Sequence, residues 1–148
     1  MSLAMTPQER EAFLADLHVG IISIPEAGRG PLTVPIWYVY DPGGELSIVT
    51  GKTSHKGRLL AQAGRFSLCA QVERPPYKYV SVEGAIVSTQ AADVERDIRP
   101  LARRYLGAEG GDRYIEATRD GREQHDSVVI RMRPERWRTV DYGKAPRG

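Results

Sequence analysis

The chain of 148 residues has one cysteine, Cys69, and only two residues each of tryptophan and phenylalanine. A lone thiol excludes an intrachain disulfide and a cysteine-built metal site, and it fits a reducing compartment. A surplus of charge of one sign is also missing. With 21 basic and 19 acidic side chains the formal charge is +2, too small for a general nucleic-acid or membrane-surface binder, so any attraction for anions has to be local. No apolar run approaches membrane-spanning length, and Met1 to Pro7 contain no basic stretch followed by an apolar one. Neither anchor nor export signal is expected, and the expected location is the cytoplasm. His18, His55 and His125 stand far apart with no carboxylate or cysteine at ligand spacing, which argues against a metal site. There is no Gly-x-Ser-x-Gly elbow and no spaced pair of nucleophile and base, which leaves hydrolysis without apparatus.

What is present is concentrated in one stretch. Between Glu45 and Glu73 there is no acidic residue, whereas Lys52, Lys56, Arg58 and Arg65 all fall there. The segment from Val49 to Arg58 reads as the end of a strand, a turn and the start of a helix. Gly51-Lys52-Thr53 looks like the end of a P-loop, but that motif requires glycine where Leu46 stands. On composition alone the cluster fits a solvated face as well as an anion site. Helix-start N–H groups, the hydroxyls of Thr53 and Ser54, and cations without an acidic neighbour along the chain match what a phosphate monoester needs, and His55 can contribute.

The length fits a single domain spanning residues 1–148. Thr6, Pro7 and Glu9 read as a capping box with a first-turn proline, opening a helix that closes near Leu17. Val19 to Ile24 reads as a buried strand. Leu32 to Tyr40, apolar on nearly both faces, pairs through the turn Asp41-Pro42-Gly43-Gly44 with Glu45 to Thr50, giving a hairpin over 32–50. Pro35 cannot donate to a sheet ladder, so it belongs at an edge or bulge. Ser54 caps a short helix that Gly64 stops. Phe66 to Glu73 alternates, placing Cys69 on the polar face, and Tyr79 to Ser88 follows with Gly84 as a bulge or close-approach site. Val94, Ile98, Leu101 and Tyr105 predict a helix interrupted at Pro100 and ended by Gly107, then a second from Arg113 to Thr118 capped by Asp112. A last strand over Ser127 to Trp137 closes a six-stranded sheet, and residues 141 to 148 read as a mobile tail. Tyr77 and Tyr79 read as packing a strand end or a subunit contact rather than stacking bases.

The order of these pieces resembles the pyridoxamine 5'-phosphate oxidase-like split-barrel superfamily, and most of all its actinobacterial flavin- and deazaflavin-dependent oxidoreductases. The residues that carry the likeness are Val34-Pro35-Ile36-Trp37, Thr50-Gly51-Lys52-Thr53-Ser54-His55-Lys56, Ser67-Leu68-Cys69 and Pro75-Pro76-Tyr77-Lys78-Tyr79-Val80-Ser81-Val82-Glu83-Gly84. The resemblance implies a mainly β fold with flanking helices, a six-stranded split β-barrel of the FMN-binding-protein type with a core over about 8–142. It also implies a homodimer with cofactor sites at the interface. The cofactor phosphate would be held by the turn from Lys52 to Arg58, with Ser54, Lys56 and Arg58 the best matched positions. Pro35, Ile36 and Trp37, with Val49 and Thr50, would border the ring. The strand Pro31 to Ile36 lacks the arginine that vitamin B6 oxidases place against the FMN phosphate, so the favoured cofactor is the deazaflavin coenzyme F-420, with FMN the alternative. The expected function is hydride transfer to a small conjugated organic acceptor, with the cofactor carrying the chemistry and no protein nucleophile required. The rival is a protein that binds flavin, deazaflavin or haem without turnover. Neither nucleic acid nor membrane is an expected partner.

Overall fold

The computed structural model describes residues 2–146, with Arg122 and Glu123 described through their backbone only. The chain runs α1 (Pro7–Ala15), β1 (Gly20–Ile24), β2 (Leu32–Ile36), β3 (Val39–Tyr40), β4 (Leu46–Gly51), α2 (His55–Ala63), β5 (Arg65–Val72) and β6 (Lys78–Ala91). A π-helical turn (Val94–Ile98) then leads into α3 (Arg99–Ala117), α4 (Arg122–His125) and β7 (Ser127–Asp141). Local signals act where they stand. Thr6 caps α1, its N–H donating to Glu9 Oε1 at 2.8 Å while Glu9 N–H donates to Thr6 Oγ1 at 3.2 Å.

All strands belong to one antiparallel sheet in the order β2-β1-β5-β6-β7-β4-β3. The expected single strand over 32–40 is two strands, which makes seven rather than six. It is broken at Trp37-Tyr38, and its halves lie at opposite edges of the sheet, so the hairpin expected over 32–50 exists only as β3 against β4. β2 pairs with β1 instead. A residue pattern that is apolar on both faces cannot distinguish one strand from two, because periodicity reports burial and not partners.

This break creates the split barrel. The last residue of β2 and the first of β3 are three Cα steps of about 3.8 Å apart, so the two edges come within ~11 Å of each other. The sheet therefore curls round on itself without hydrogen bonds closing it. Its concave side buries Ile22, Leu46, Ile48, Leu68, Val82 and Met132. Gly84 faces Pro134 where the β6–β7 register shifts, and a Cβ there would lie 1.8 Å from the Arg133 carbonyl oxygen. Only glycine permits that approach.

The opening between the edges is bridged by a side chain. Tyr38 N–H donates to the Tyr105 hydroxyl at 3.1 Å, and that hydroxyl lies 2.6 Å from the His18 carbonyl and 3.1 Å from that of Tyr38. Tyr105 so serves the backbone groups that a missing strand would have paired. Its ring stacks on Trp37, centroids 5.0 Å apart and planes within 4°.

Pro100 sits in the first turn of α3, directly after the π turn, so two helical pieces abut there. Gly107, at φ +79°, breaks α3 in the middle, and helix resumes well before Arg113. Asp112 is consequently not a cap. It clasps the two halves, accepting from Arg99 Nη1 and from Arg103 Nε and Nη2, each at 2.8 Å. Of the tail expected over 141–148, Arg147 and Gly148 lie outside the described residues. Asp141 ends β7 with its N–H on the Leu3 carbonyl at 2.8 Å, and Lys144 Nζ lies 2.6 Å from Glu9 Oε1.

Two measurements check this account. Tyr105→Phe should lose about 1–3 kcal/mol in urea unfolding, because it strands the Tyr38 N–H and the His18 carbonyl. The carboxyls of Glu9, beside Lys144, and of Asp112, beside Arg103 and Arg99, are held down at about 2 from ordinary values of 4.5 and 3.8. A pKa depressed by folding stabilises above the unfolded value and is lost as pH falls through the folded one. Melting temperature should therefore decline from roughly pH 4.5 to pH 2, and less steeply in Asp112→Asn.

Candidate functional site

The turn after β4 is held from below by the residue preceding β7. Lys52 N–H donates to the Asp126 carbonyl at 2.7 Å, while Thr53 Oγ1 and Thr53 N–H donate to Asp126 Oδ2 at 2.5 and 3.3 Å. Ser54 donates its hydroxyl proton to the Gly51 carbonyl at 2.7 Å and accepts the Gly57 N–H at 3.0 Å, which makes it the N-cap of α2. Gly57 lets the helix start lie on the turn: a Cβ there would be 2.1 Å from the Gly51 carbonyl oxygen and 2.9 Å from that of Lys52. The hydroxyls of Thr53 and Ser54 thus spend their protons on the turn itself and have none to donate to a phosphate. Nor is the cluster free of acids in space. Asp126 lies against it, and Glu26 Oε1 is 3.8 Å from His55 Nε2. Both carboxylates come from distant parts of the chain, where a local charge count cannot see them.

Beside this turn lies a cavity of about 540 Å³, within the size range of small-molecule and cofactor sites. Its walls include Pro35 and Ile36 from the end of β2, Trp37 just after it, and Val49 and Thr50 from β4. Thr53, Ser54 and Lys56 come from the turn and α2. These sequence-predicted residues are brought together. Lys52, His55 and Arg58 are not: all three are exposed and lie outside the cavity wall. On a helix start only some positions face one side, and here Lys56 is the one that turns inward. Its ammonium is half-buried, with burial alone pushing its pKa down and no carboxylate contributing. An ammonium that is desolvated without a partner is primed for an anion.

The remaining walls escaped the sequence reading. Val19, Ile98, Leu101, Tyr114, Asp126 and Ser127 complete the cavity. Ile98 and Leu101 carry the same helical periodicity as core residues, and nothing local distinguishes a stripe that covers a cavity from one that covers a core. Tyr114 reaches Trp37, with ring centroids 5.6 Å apart and planes at 55°. Trp37 is thereby a flat, partly accessible wall supported by two tyrosines, suited to a planar ligand. Cys69, on the half-exposed face of β5, has its thiol pKa raised by burial and takes no part in the site.

A sequence profile described as pyridoxamine 5'-phosphate oxidase matches residues 6–141. The chain belongs to this family. Among the solved structures that share its fold are the following three. A conserved hypothetical protein, Rv2991 from Mycobacterium tuberculosis, has 19% identity and a TM-score of 0.77, over 99% of this chain and 92% of that one. An F-420 reductase has 18% identity and a TM-score of 0.62, over 86% and 94%. A FAD-binding protein from Mesorhizobium loti has 16% identity and a TM-score of 0.63, over 92% and 93%. At these identities the likeness is one of fold. No curated protein matches the chain. Within this pyridoxamine 5'-phosphate oxidase family member, no described helix is long and apolar enough to cross a membrane. No group of three or more metal-ligating side chains occurs among the described residues.

The geometry at Gly57 yields a test. Gly57→Ala forces the added methyl against two backbone carbonyls, so it should cost about 1–3 kcal/mol of stability as overpacking does. Calorimetry on Gly57→Ala would measure it, with Gly30→Ala, where an added Cβ meets nothing within 4 Å, as a control.

Proposed function

We propose that this chain is an oxidoreductase that holds a phosphate-bearing redox cofactor in the cavity between α2, β2 and β4, with coenzyme F-420 favoured and FMN the alternative. The observation that carries this reading is Lys56, a half-buried ammonium on the wall of a cavity of about 540 Å³, with no carboxylate partner among the described residues. Family membership and the fold shared with an F-420 reductase and a FAD-binding protein support it.

The residues fit such a group. Lys56 offers charge, and the first backbone N–H groups of α2 add to it the positive end of the helix. Because Thr53 and Ser54 hold the turn, they preorganise these donors rather than contacting the phosphate. Ile36, Trp37, Val49, Leu101 and Tyr114 line an apolar slot that accepts a flat ring and keeps water from it. Asp126 shares the cavity wall and accepts from Thr53, so its charge disfavours a phosphate near Thr53 and leaves the Lys56 side as the place for it. When bound, the cofactor supplies the hydride for a small conjugated acceptor. The chain's own part is binding, orientation and exclusion of water, and it needs no nucleophile. The same reading takes the protein as a cytoplasmic homodimer in which a second copy completes the slot.

Titration with coenzyme F-420 and with FMN, followed by absorbance, tests the anchor. Lys56→Ala should weaken binding of the preferred cofactor by about ten-fold or more, the worth of one charge-assisted hydrogen bond. Unchanged affinity for both cofactors would remove the anchor. A bound cofactor that no quinone or enone reoxidises would favour a carrier without turnover.

A further inference from the structure

A second cavity, of about 370 Å³, adjoins the first, and Val49 and Leu101 belong to the walls of both. Its floor follows from strand register. Val39, Ser47 and Arg131 stand opposite one another across β3, β4 and β7, and Val49 stands opposite Val129 two residues along. These five side chains rise from one face of the sheet. It is the face outside the barrel, because the alternate residues Leu46, Ile48, Ile130 and Met132 are packed into the core. The roof is the π turn and the start of α3, with Arg96, Asp97, Pro100 and Arg104.

Three guanidinium groups share this small space with one carboxylate, and that carboxylate is already engaged. Asp97 accepts from Arg96 Nη2 at 2.8 Å and from the Asp93 N–H at 2.8 Å. Burial opposes its ionisation, yet the Arg96 and Asp93 hydrogen bonds and the nearby charge of Arg131 hold its pKa below the ordinary value. Arg96, mostly exposed, is spent on that pair. Among the described residues Arg131 makes one long side-chain hydrogen bond, from Nη1 to Gln90 Oε1 at 3.4 Å, beside its charge interaction with Asp97. Arg104 gives Nη2 to the Ala15 carbonyl at 2.9 Å, and its buried Nε has no hydrogen-bond partner. One guanidinium rising from a floor otherwise formed by Val39, Ser47, Val49 and Val129, with a second in the roof whose Nε is unpaired, is an arrangement that recognises a carboxylate.

We propose that this second cavity is the subsite for the acceptor's carboxylate, so that the substrate is a conjugated organic acid. Its anionic end lies between Arg131 and Arg104, and its reducible end points past Val49 and Leu101 into the main cavity. This assignment rests on the function proposed above. The carboxylate takes no part in the chemistry: the conjugated C=C bond gains a hydride from the reduced cofactor and a proton from water, and the cofactor leaves oxidised by two electrons.

Cinnamate and its neutral analogue cinnamamide are suitable probes, titrated into the full chain and followed by amide NMR. Cinnamate should shift the amides of Val49, Leu101 and Arg131 saturably and bind at least about ten-fold more tightly than cinnamamide. Arg131→Met should erase that preference, Arg131→Lys should restore part of it, and Lys56→Ala should leave it intact. Equal binding of the two probes, or shifts confined to the turn around Lys56, would overturn the subsite. So would a loss of coenzyme F-420 or FMN affinity in Arg131→Met as large as in Lys56→Ala, which would assign the arginines to the cofactor's own anionic tail. If Lys56→Ala leaves cofactor binding unchanged while the cinnamate preference holds, the cofactor anchor fails and the carboxylate subsite stands.

Discussion

Two residues, Trp37 and Tyr38, have to carry the chain from one edge of a seven-stranded sheet to the other. That tether is the constraint on which the remaining architecture depends. A sheet with the usual right-handed twist curls readily, but its two free edges would normally be pulled together only by hydrogen bonds. Here the peptide bonds do it, and they leave the backbone groups on either side of the opening to be served otherwise. Tyr105 serves them, and in doing so it fixes where α3 sits. Trp37, stacked on Tyr105, then faces a space that neither the barrel nor the helix fills. The cavity is thus a consequence of how the barrel is closed.

The same geometry distributes the polar work. At the turn after β4, hydroxyls and backbone are committed to one another and to Asp126, so this segment has little freedom left to adjust to a ligand. Lys56 projects from that rigid base with its charge partly desolvated. Holding it there costs stability, since burial penalises the charged form, and no carboxylate among the described residues offsets the penalty. Sites that bind are commonly where folding tolerates such an expense.

Much of this was legible in the order of the residues. The capping box at Thr6, the cap at Ser54 and the stop at Gly64 are local events, decided within a few residues, and each appears where its pattern stands. The mainly β split barrel was legible through a resemblance. Partnership was not: the 32–40 run gave no sign that its halves belong to opposite edges, because alternation speaks of burial and the break lies in tertiary space. The same limit applies to the site. Pro35, Trp37, Val49 and Lys56 come from segments with visible peculiarities, a proline in a strand or a cation at a helix start. Leu101, Tyr114 and Asp126 look like any helix face or loop end, and Asp126 meets Thr53 from 73 residues away. Arg58 stands exposed outside the cavity wall, since a cluster along the chain need not be a cluster in space.

The break at Gly107 and the Arg99–Asp112–Arg103 clasp have an evolutionary corollary. The floor of both cavities is built from strands whose opposite faces form the core, so changes there are felt throughout the barrel. The roof hangs on a hinged pair of half-helices fastened outside it. Roof residues can drift while the barrel stays folded, so descendants of one scaffold could exchange ligands by redrawing the lid and leaving the container alone.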